Sequence, residues 1–216
     1  MQYRAVLFDF DFTLGDASEA IIAGFRHGFA ALGYPVPDDN AVRRTIGTPL
    51  EDAFAQLTGC PDRAQGVRFH ELFTEVAVPM QIQCTKLFPG AVELLTALKE
   101  AGVPAAIVST KRAQTLRSVL EPRGVLPLLA SVTGGEMVKH HKPDPEGLLA
   151  AVAGLGLTPR EVLYCGDTVI DAETAQRAGA DFCAVLNGTT PADDFAAFPA
   201  VHISPDLPDL RAWLGL

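Results

Sequence analysis

The sequence predicts an α/β protein with a parallel sheet covered by helices on both faces and an all-helical insertion after the first strand. Short apolar runs alternate with helical patterns over the later part of the chain, which indicates such a sheet. About ninety residues separate the first two apolar runs, and one crossover between strands needs far fewer. The 216 residues therefore predict one core domain with an insertion rather than a string of modules.

The candidate strands are apolar runs without internal alternation, as expected for strands that are buried on both faces. They are Ala5–Phe10, Ala105–Val108, Val162–Cys165 and Phe182–Leu186, with weaker candidates near Leu129–Thr133 and Val201–Ile203. These runs predict a sheet of five to six strands.

The candidate helices have apolar residues at helical spacing. In the core they are Ala91–Ala101, Ala113–Pro122, Pro145–Leu155 and Asp171–Ala178. In the insertion they are Ser18–Leu32, with Ser18 as its N-cap, and stretches near Asn40–Arg44, Leu50–Leu57 and Asp62–Val76. We therefore expect a core at residues 1–15 and 84–216 and a helical domain at residues 16–83.

The composition predicts the cellular compartment of the protein and excludes some classes of partner. The chain has 26 acidic against 17 basic side chains, a formal charge of −9, and such a surface repels the phosphate backbone of nucleic acids. Four scattered cysteines without C-x-x-C spacing predict free thiols in a reducing compartment. No run approaches the ~20 apolar residues of a membrane span. We expect a cytoplasmic protein that binds neither nucleic acid nor membranes.

Two aspartates stand where the first candidate strand ends. In Asp9-Phe10-Asp11-Phe12-Thr13, strand alternation puts the carboxylates of Asp9 and Asp11 on the same side of the chain. Open α/β sheets bind ligands at the carboxyl ends of their strands, and neighbouring carboxylates persist mainly where a cation or proton is shared. An acidic turn after a strand also explains the pair taken alone.

Three further groups of polar residues fall at the ends of later strands or just before a helix. One strand runs into Ser109-Thr110-Lys111 and another into Gly166-Asp167-Thr168, with Asp171 four residues beyond Asp167. Lys142 stands just before a helix and is followed by two prolines within three residues. Each group alone is explained by a helix cap or a solvated charge. Four such groups at equivalent places predict one site.

These groups suit phosphoryl transfer. Mg²⁺ prefers carboxylate oxygens and fits Asp9, Asp167 and Asp171. A lysine and a hydroxyl opposite the metal would hold the non-reacting phosphoryl oxygens. One ionised carboxylate can attack phosphorus while a second, protonated one gives its proton to the leaving oxygen.

The chain resembles the haloacid-dehalogenase-like superfamily over nearly its whole length, and within it the phosphoglycolate-phosphatase-like branch with a helical cap. The matching motifs are Asp9-Phe10-Asp11-Phe12-Thr13-Leu14, Ile107-Val108-Ser109-Thr110-Lys111, Lys142-Pro143-Asp144-Pro145 and Gly166-Asp167-Thr168-Val169-Ile170-Asp171. The resemblance implies a Rossmann-like core and Mg²⁺-dependent hydrolysis of a small phosphorylated metabolite through an aspartyl-phosphate.

The resemblance also implies catalytic roles. Asp9 would be the nucleophile, and Asp11 would act first as general acid and then as general base. Ser109, with its neighbour Thr110, and Lys142 would hold the phosphoryl group.

The resemblance implies a metal site as well. Asp9, the carbonyl group of Asp11, Asp167 and Asp171 would bind or orient Mg²⁺. Phe12 stands where relatives more often have glycine. This departure bears on the local backbone shape and on contact with the cap more than on catalysis.

We expect the insertion, residues 16–83, to act as a cap that excludes water and selects the leaving group. Its segment Arg43–Pro49 resembles the substrate-facing cap loop of the family, which makes Arg44 and Thr48 candidate substrate contacts. Adjacent arginines at a helix end also occur simply as solvated charges. The sequence leaves both interpretations open, and it leaves open whether the protein is a monomer or a homodimer.

Three functions are compatible with the motifs. The first is a phosphomonoester hydrolase, the second is a β-phosphoglucomutase-like sugar-phosphate mutase, and the third is a non-catalytic binding protein on the same fold. A dehalogenase has little use for Asp11 and Asp167. A phosphonate-cleaving relative needs a cap lysine for its Schiff base, and residues 17–83 contain no lysine.

Overall fold

The computed structural model describes residues 2–216, which fold into two compact units. The first unit comprises the residues up to Asp16 together with Leu87–Leu216, and the second comprises Ala17–Lys86. The first unit contains the main sheet, and the second is built almost entirely from helices. In the described part of the chain, no helix has both the length and the apolarity that a membrane crossing requires.

The elements follow one another in the order that the sequence analysis predicts, with several additions. The strands are β1 Ala5–Phe8, β2 Gly15–Asp16, β3 Lys86–Leu87, β4 Ala105–Val108, β5 Ser131–Thr133, β6 Val162–Gly166, β7 Asp181–Val185 and β8 Ala200–Ser204. The helices are α1 Ser18–Ala31, α2 Asp39–Arg43, α3 Leu50–Thr58, α4 Arg63–Cys84, α5 Ala91–Glu100, α6 Ala113–Leu120, α7 Glu146–Gly154, α8 Val169–Ala178 and α9 Leu207–Trp213. Short 3-10 turns lie at Glu121–Arg123, Leu126–Leu128, Gly135–Met137, Pro159–Glu161 and Ala192–Ala197.

The main sheet has six parallel strands in the order β5-β4-β1-β6-β7-β8. Strand β1 lies between β4 and β6, with Phe8 in register with Ile107 on one side and Cys165 on the other. The predicted α/β fold with a parallel sheet is confirmed. This register places the residues that follow β1, β4 and β6 at one edge of the sheet.

The sheet is buried on both faces. On one face Leu7 and Val108 pack with Leu148 and Val152 of α7. The residues of β1 that point to the opposite face are fully buried as well, as the continuous apolar run predicts. The strands are therefore fixed by hydrophobic burial, and polar side chains occur where the strands end.

The second unit is held together by a cluster of aromatic rings. Phe25 and Phe29 of α1 pack against Phe69 and Phe73 of α4, and Phe54 of α3 closes the cluster. The rings of Phe25 and Phe69 lie 5.0 Å apart, and those of Phe29 and Phe69 meet edge to face at 5.4 Å. Such pairs stabilise a small core beyond the effect of simple area burial.

Helix α4 is longer than the sequence pattern predicts. The prediction ends at Val76, whereas the helix continues to Cys84 and includes Pro79. Phe69, Phe73 and Ala77 form a buried row with a spacing of four residues along the helix. The stabilisation from packing this row exceeds the cost of the backbone hydrogen bond that is lost at Pro79, because proline has no N–H to donate.

Three other local predictions are corrected. The N-cap position of α1 is Ala17 rather than Ser18, and no side chain caps the helix there. Strand β1 ends at Phe8 rather than Phe10, so Asp9 belongs to the loop. Helix α8 begins at Val169, two residues before the predicted start at Asp171.

Replacing Gly24 of α1 by alanine should destabilise the second unit. A Cβ atom at this position would lie 2.6 Å from the ring of Phe73 and 2.8 Å from the Cβ atom of Ala77, far inside van der Waals contact. We expect overpacking to cost about 1–3 kcal/mol, which exceeds the gain of about 1 kcal/mol in helix propensity. Urea unfolding measures the change.

Gly154→Ala is the matched control. A Cβ atom at Gly154 would meet no other described residue within 4 Å, so we expect the variant to be neutral or slightly more stable. Equal free energies of unfolding for the two variants would contradict the overpacking of Gly24.

Candidate active site

The carboxyl edge of the main sheet brings together the acidic and hydroxyl residues that the sequence analysis singles out. Asp9 follows β1 directly, Ser109 follows β4 and Asp167 follows β6. The backbone N–H of Asp9 donates a hydrogen bond of 2.8 Å to the carbonyl oxygen of Cys165, which continues the pairing beyond the strand. The parallel register therefore accounts for the proximity of these residues.

Asp9, Asp167 and Asp171 form a buried carboxylate cluster. One oxygen from each lies within 4.8 Å of the others, and each residue is at most 3% exposed. Three carboxylates at such distances repel one another strongly in a site with little water. The cluster therefore needs positive charge.

The ammonium group of Lys142 provides part of that charge. Its Nζ atom donates to Oδ1 of Asp171 at 2.6 Å, to Oδ1 of Asp9 at 2.8 Å and to the hydroxyl oxygen of Tyr164 at 3.0 Å. Burial disfavours the charged lysine, but the carboxylates of Asp171 and Asp9 outweigh burial and hold the pKa of Lys142 well above its usual value. Lys142 is therefore a permanent cation in the site.

One ammonium group does not balance the cluster. Burial raises the pKa of Asp9 to about 6, although Lys142 acts in the opposite direction. Burial, together with the negative charges of Asp171 and Asp9, holds the pKa of Asp167 well above its usual range. Both shifts indicate that Lys142 does not fully compensate the burial of these carboxylates and their mutual repulsion.

Asp171 is held by the first turn of α8. Thr168 is the N-cap residue, and its hydroxyl group donates 2.6 Å to Oδ2 of Asp171, while the N–H of Asp171 donates to the Thr168 hydroxyl oxygen at 3.2 Å. This is a capping box closed by aspartate. Because Lys142 and Tyr164 bind Oδ1, both carboxylate oxygens of Asp171 accept hydrogen bonds.

Asp167 is positioned by two loops. The hydroxyl group of Thr13 donates 3.1 Å to its Oδ1 atom, and Asn187 Nδ2 donates 3.1 Å to the carbonyl oxygen of Thr13. The backbone of Gly188 packs directly against the Asp167 carboxylate, because a Cβ atom at position 188 would lie 2.1 Å from Oδ2 of Asp167. Only glycine fits this approach without moving the carboxylate.

Asp11 pairs with a second lysine. The Nζ atom of Lys111 lies 3.1 Å from Oδ2 of Asp11, and the two side chains are only 9% and 11% exposed. The other oxygen, Oδ1 of Asp11, is buried and has no hydrogen-bond partner among residues 2–216. Asp11 therefore faces the site with one ion-paired oxygen and one unsatisfied acceptor.

The turn after Asp11 has an unusual backbone. Phe12 adopts φ = 59°, in the left-handed region where a side chain costs roughly 1–2 kcal/mol. Its ring is buried, which offsets that cost, and its N–H donates to the carbonyl oxygen of Gly15. With phenylalanine in place of glycine at position 12, burial of the ring therefore stabilises this backbone conformation.

Ser109, Thr110 and Lys142 line one cleft together with His141. The N–H of Ser109 donates 3.0 Å to the carbonyl oxygen of Thr133 on the neighbouring strand, which fixes the loop after β4. The structure thus brings the predicted phosphoryl-binding residues of the first unit to the same cleft.

Arg44 and Thr48 belong to the second unit. Arg44 is the exposed C-cap residue of α2, and Thr48 is half-buried in the turn that precedes α3. Gly47 between them has φ = 100°, which favours glycine at that position. The role of Arg44 and Thr48 as substrate contacts stays a prediction.

Sequence reasoning gave no role to four residues that the structure places in contact with the carboxylates: Thr13, Lys111, Tyr164 and Gly188. Tyr164 is fully buried, and its hydroxyl group contacts Lys142, Asp171 and the carbonyl oxygen of Val108. A hydroxyl group in the otherwise apolar run of β6 was the available signal, because a buried tyrosine needs a hydrogen-bond partner. No comparable signal in the sequence identifies Thr13 or Gly188.

A comparison with known families agrees with these motifs and this fold. The family model described as haloacid dehalogenase-like hydrolase matches residues 6–185. The chain belongs to this family. The predicted family is therefore confirmed, and the six-stranded parallel sheet is the core on which this hydrolase presents its carboxylates.

Two relatives of this hydrolase are named phosphatases. A protein named Probable phosphatase IndB from Dickeya dadantii is 34% identical over 92% of this chain and 88% of its own length. The N-acetylmuramic acid 6-phosphate phosphatase of Pseudomonas putida is 33% identical over 87% of this chain and 85% of its own length.

A solved structure shares the architecture of this hydrolase. A haloacid dehalogenase-like hydrolase from Bacteroides fragilis superposes with a TM-score of 0.93 at 41% sequence identity. The alignment covers 96% of this chain and 99% of the other.

Replacing Lys142 by methionine should destabilise the hydrolase most at high pH. The variant leaves Asp9 and Asp171 without their ammonium partner, and breaking a buried ion pair costs about 3–5 kcal/mol. A carboxyl whose pKa is raised by folding binds protons more tightly in the folded state, so its penalty is full above that pKa. Because Lys142 lowers the pKa of Asp9, which is about 6 in the unmodified protein, the variant's Asp9 should titrate above 6, and the stability deficit should shrink as the pH falls towards 6.

The free energy of unfolding, measured at several values between about pH 5 and pH 8, tests this prediction. Lys99→Met removes an exposed lysine of the same unit and serves as the control. A deficit in Lys142→Met that does not change with pH would contradict the electrostatic explanation.

Proposed function

We propose that the protein is a Mg²⁺-dependent phosphatase that hydrolyses a small phosphomonoester through an aspartyl-phosphate at Asp9. The observation that carries this proposal is the burial of Asp9 beside Lys142, Asp167 and Asp171, two residues before Asp11. A relative named for a small sugar phosphate, N-acetylmuramic acid 6-phosphate, supports a phosphorylated metabolite as substrate.

The donor set fits Mg²⁺. Carboxylate oxygens are the hard ligands that this cation prefers, and three buried carboxylates offer oxygens within 4.8 Å of one another. Four carboxyl groups, those of Asp9, Asp11, Asp167 and Asp171, lie at this edge with only two ammonium groups, those of Lys111 and Lys142, so a divalent cation can offset negative charge that the lysines leave unbalanced. When bound, Mg²⁺ would offset charge on the phosphoryl oxygens in the transition state.

The hydrogen bonds suggest how the carboxylates divide their roles at the metal. Both oxygens of Asp171 are occupied by Lys142, Tyr164 and Thr168, which favours an orienting role for Asp171. We assign direct binding of Mg²⁺ to Asp9, to Asp167 and to the carbonyl group of Asp11.

Asp9 is suited to nucleophilic attack. Lys142 donates to its Oδ1 atom, and among residues 2–216 no hydrogen bond reaches its Oδ2 atom. That oxygen can attack phosphorus, the bond between phosphorus and the ester oxygen breaks, and the phosphoryl group is transferred to Asp9. Lys142 and the Ser109 hydroxyl group, with Thr110 beside them, would hold the oxygens that do not react.

Asp11 would complete both halves of the reaction. As a carboxylic acid it gives its proton to the departing ester oxygen, which leaves as an alcohol. The resulting carboxylate then takes a proton from water as the water oxygen attacks phosphorus. The bond between Asp9 and phosphorus breaks, inorganic phosphate is released, and Asp11 is protonated again.

The second unit, Ala17–Lys86, is the proposed cap. We assign to it the exclusion of water and the selection of the leaving group, which the family resemblance implies. Arg44 and Thr48 are its proposed substrate contacts.

Asp9→Asn should abolish turnover. The substitution keeps the size of the side chain and removes the nucleophilic oxygen charge, so we expect a loss of at least about a thousandfold. Release of inorganic phosphate from a panel of phosphorylated metabolites, with Mg²⁺ present or chelated, measures the effect.

Asp193→Asn changes an exposed aspartate of the same unit and should leave phosphate release unchanged. Full activity of Asp9→Asn would refute the proposed nucleophile. Interconversion of sugar phosphates without net release of phosphate would instead identify the mutase.

Mg²⁺ should stabilise the folded protein more at pH 8 than at pH 5. Because burial raises the pKa of Asp9 to about 6 and holds that of Asp167 above its usual range, protons compete with the metal below about pH 6. The shift of the thermal unfolding midpoint on adding Mg²⁺, measured at both pH values, tests this competition without an activity assay.

Asp167→Asn should lose most of the Mg²⁺-induced shift at both pH values. An equal shift at pH 5 and pH 8 in the unmodified protein would show that these carboxylates do not bind the metal.

A further inference from the structure

Tyr164 brings a hydroxyl group from the hydrophobic core to the carboxyl edge of the main sheet. The residue is fully buried, and its ring belongs to the core cluster that contains Leu148 and Val152 of α7. It lies in β6 shortly before Gly166, where that strand ends, and it pairs in register with Leu7 of β1. A buried hydroxyl group is costly unless it is hydrogen-bonded, so packing alone would be served as well by phenylalanine.

The hydroxyl group of Tyr164 has three polar neighbours in the site. It accepts a hydrogen bond of 3.0 Å from Nζ of Lys142, and it lies 3.0 Å from both Oδ1 of Asp171 and the carbonyl oxygen of Val108. A hydroxyl group has one hydrogen and two lone pairs, so these two oxygens share one donor. Because Val108 is the last residue of β4, the hydroxyl group is tied to the backbone of the sheet as well as to charged side chains.

The three N–H donors of the Lys142 ammonium group match three oxygens at the edge: Oδ1 of Asp9, Oδ1 of Asp171 and the hydroxyl oxygen of Tyr164. In the proposed mechanism Asp9 loses its negative charge when its oxygen binds phosphorus, and Asp171 stands beside the cation. The phenol of Tyr164 is neutral near pH 7 and takes part in no step. Among these three partners, Tyr164 is therefore the one whose charge and place stay constant during turnover.

Asp171 completes a triangle with the hydroxyl and ammonium groups. Its Oδ1 atom accepts from both Lys142 and Tyr164, while its Oδ2 atom accepts from the hydroxyl group of Thr168 at the start of α8. The triangle is thus anchored to the sheet through Tyr164 and to α8 through Thr168. Without the hydroxyl group, the ammonium group would be held by carboxylates alone.

We propose that Tyr164 is a positioning residue for phosphoryl transfer. Its hydroxyl group holds the ammonium group of Lys142 in place while the charge on Asp9 changes during turnover. In this role Tyr164 needs no contact with the ester and acts through Lys142. The inference rests on the proposed function, in which Lys142 holds phosphoryl oxygens that do not react.

Tyr164→Phe removes the hydroxyl group and keeps the buried ring. Removal of such an outer partner costs about ten- to hundredfold in activity, and we expect this loss in kcat for p-nitrophenyl phosphate with Mg²⁺. KM should change by less than about threefold, because a misplaced ammonium group weakens binding of the transition state more than binding of the ester.

Orthovanadate gives a readout that does not depend on turnover. It resembles the trigonal-bipyramidal transition state of phosphoryl transfer, and its binding in the presence of Mg²⁺ raises the thermal unfolding midpoint. We expect its affinity for Tyr164→Phe, measured from this shift, to fall by about the same factor as kcat. The affinity for inorganic phosphate should fall less, since phosphate resembles the ground state.

Tyr3→Phe is the matched control. Tyr3 is also buried, and its hydroxyl group also donates to a carboxylate, Oδ2 of Asp181, at 2.7 Å. Asp181 begins β7 and so lies at the edge of the sheet opposite the site. We expect Tyr3→Phe to keep kcat within about twofold, although it too loses a buried hydrogen bond. Tyr164→Met, with a flexible apolar side chain, is a second variant if Tyr164→Phe does not fold.

A double variant shows whether Tyr164 acts through Lys142. Lys142→Met should lower kcat by itself, and adding Tyr164→Phe should then cost less than about twofold, because the group to be positioned is gone. If the two losses simply multiplied, the route through Lys142 would be wrong and the inference overturned.

Unchanged kcat and orthovanadate binding in Tyr164→Phe would overturn the inference and leave the proposed phosphatase activity intact. Equal losses in Tyr164→Phe and Tyr3→Phe would also overturn it, since general destabilisation would then explain both. If the unmodified enzyme released phosphate from neither p-nitrophenyl phosphate nor any ester in the panel, the proposed function and the inference would fail together.

Discussion

The contact of the Lys142 ammonium group with the buried carboxylates of Asp9 and Asp171 is the interaction on which the carboxyl edge depends. Removing these carboxylates from water is costly, and the attraction to a single lysine only partly offsets that cost. The pKa of Asp9 is therefore raised, because the cost of burial exceeds the stabilisation by Lys142. A site with an excess of buried negative charge is suited to bind a divalent cation and then a phosphate ester.

The parallel sheet makes this arrangement possible. Its central strands β1, β4 and β6 end together, so residues distant in sequence start from the same edge. Apolar burial on both faces of the sheet stabilises the strands, and the hydrogen-bonded loops then hold the charged groups at the edge. Tyr164 connects the hydrophobic core with the charged groups at the edge, because its ring packs within the core and its hydroxyl group contacts Lys142 and Asp171.

Much of the fold was predictable because burial leaves a pattern in the sequence. The continuous apolar run of β4 is a strand with the predicted bounds, Ala105–Val108. The prediction of α4 stopped too early, since Pro79 signals a break locally while packing of the aromatic row continues the helix. Short elements such as β2 and β3 were not predicted, because two residues are too few to show a period.

The sequence by itself determined which chemistry is present: paired aspartates after a strand, a hydroxyl group, a lysine before a helix, and two further aspartates, in motifs of the haloacid dehalogenase-like hydrolases. Only the tertiary structure decided how these groups are paired. That Lys111 contacts Asp11 while Lys142 contacts Asp9 depends on where separate loops meet. The need for glycine at position 188 depends on its approach to Asp167, 21 residues away in sequence. Such contacts arise from long-range packing, which local sequence patterns do not encode.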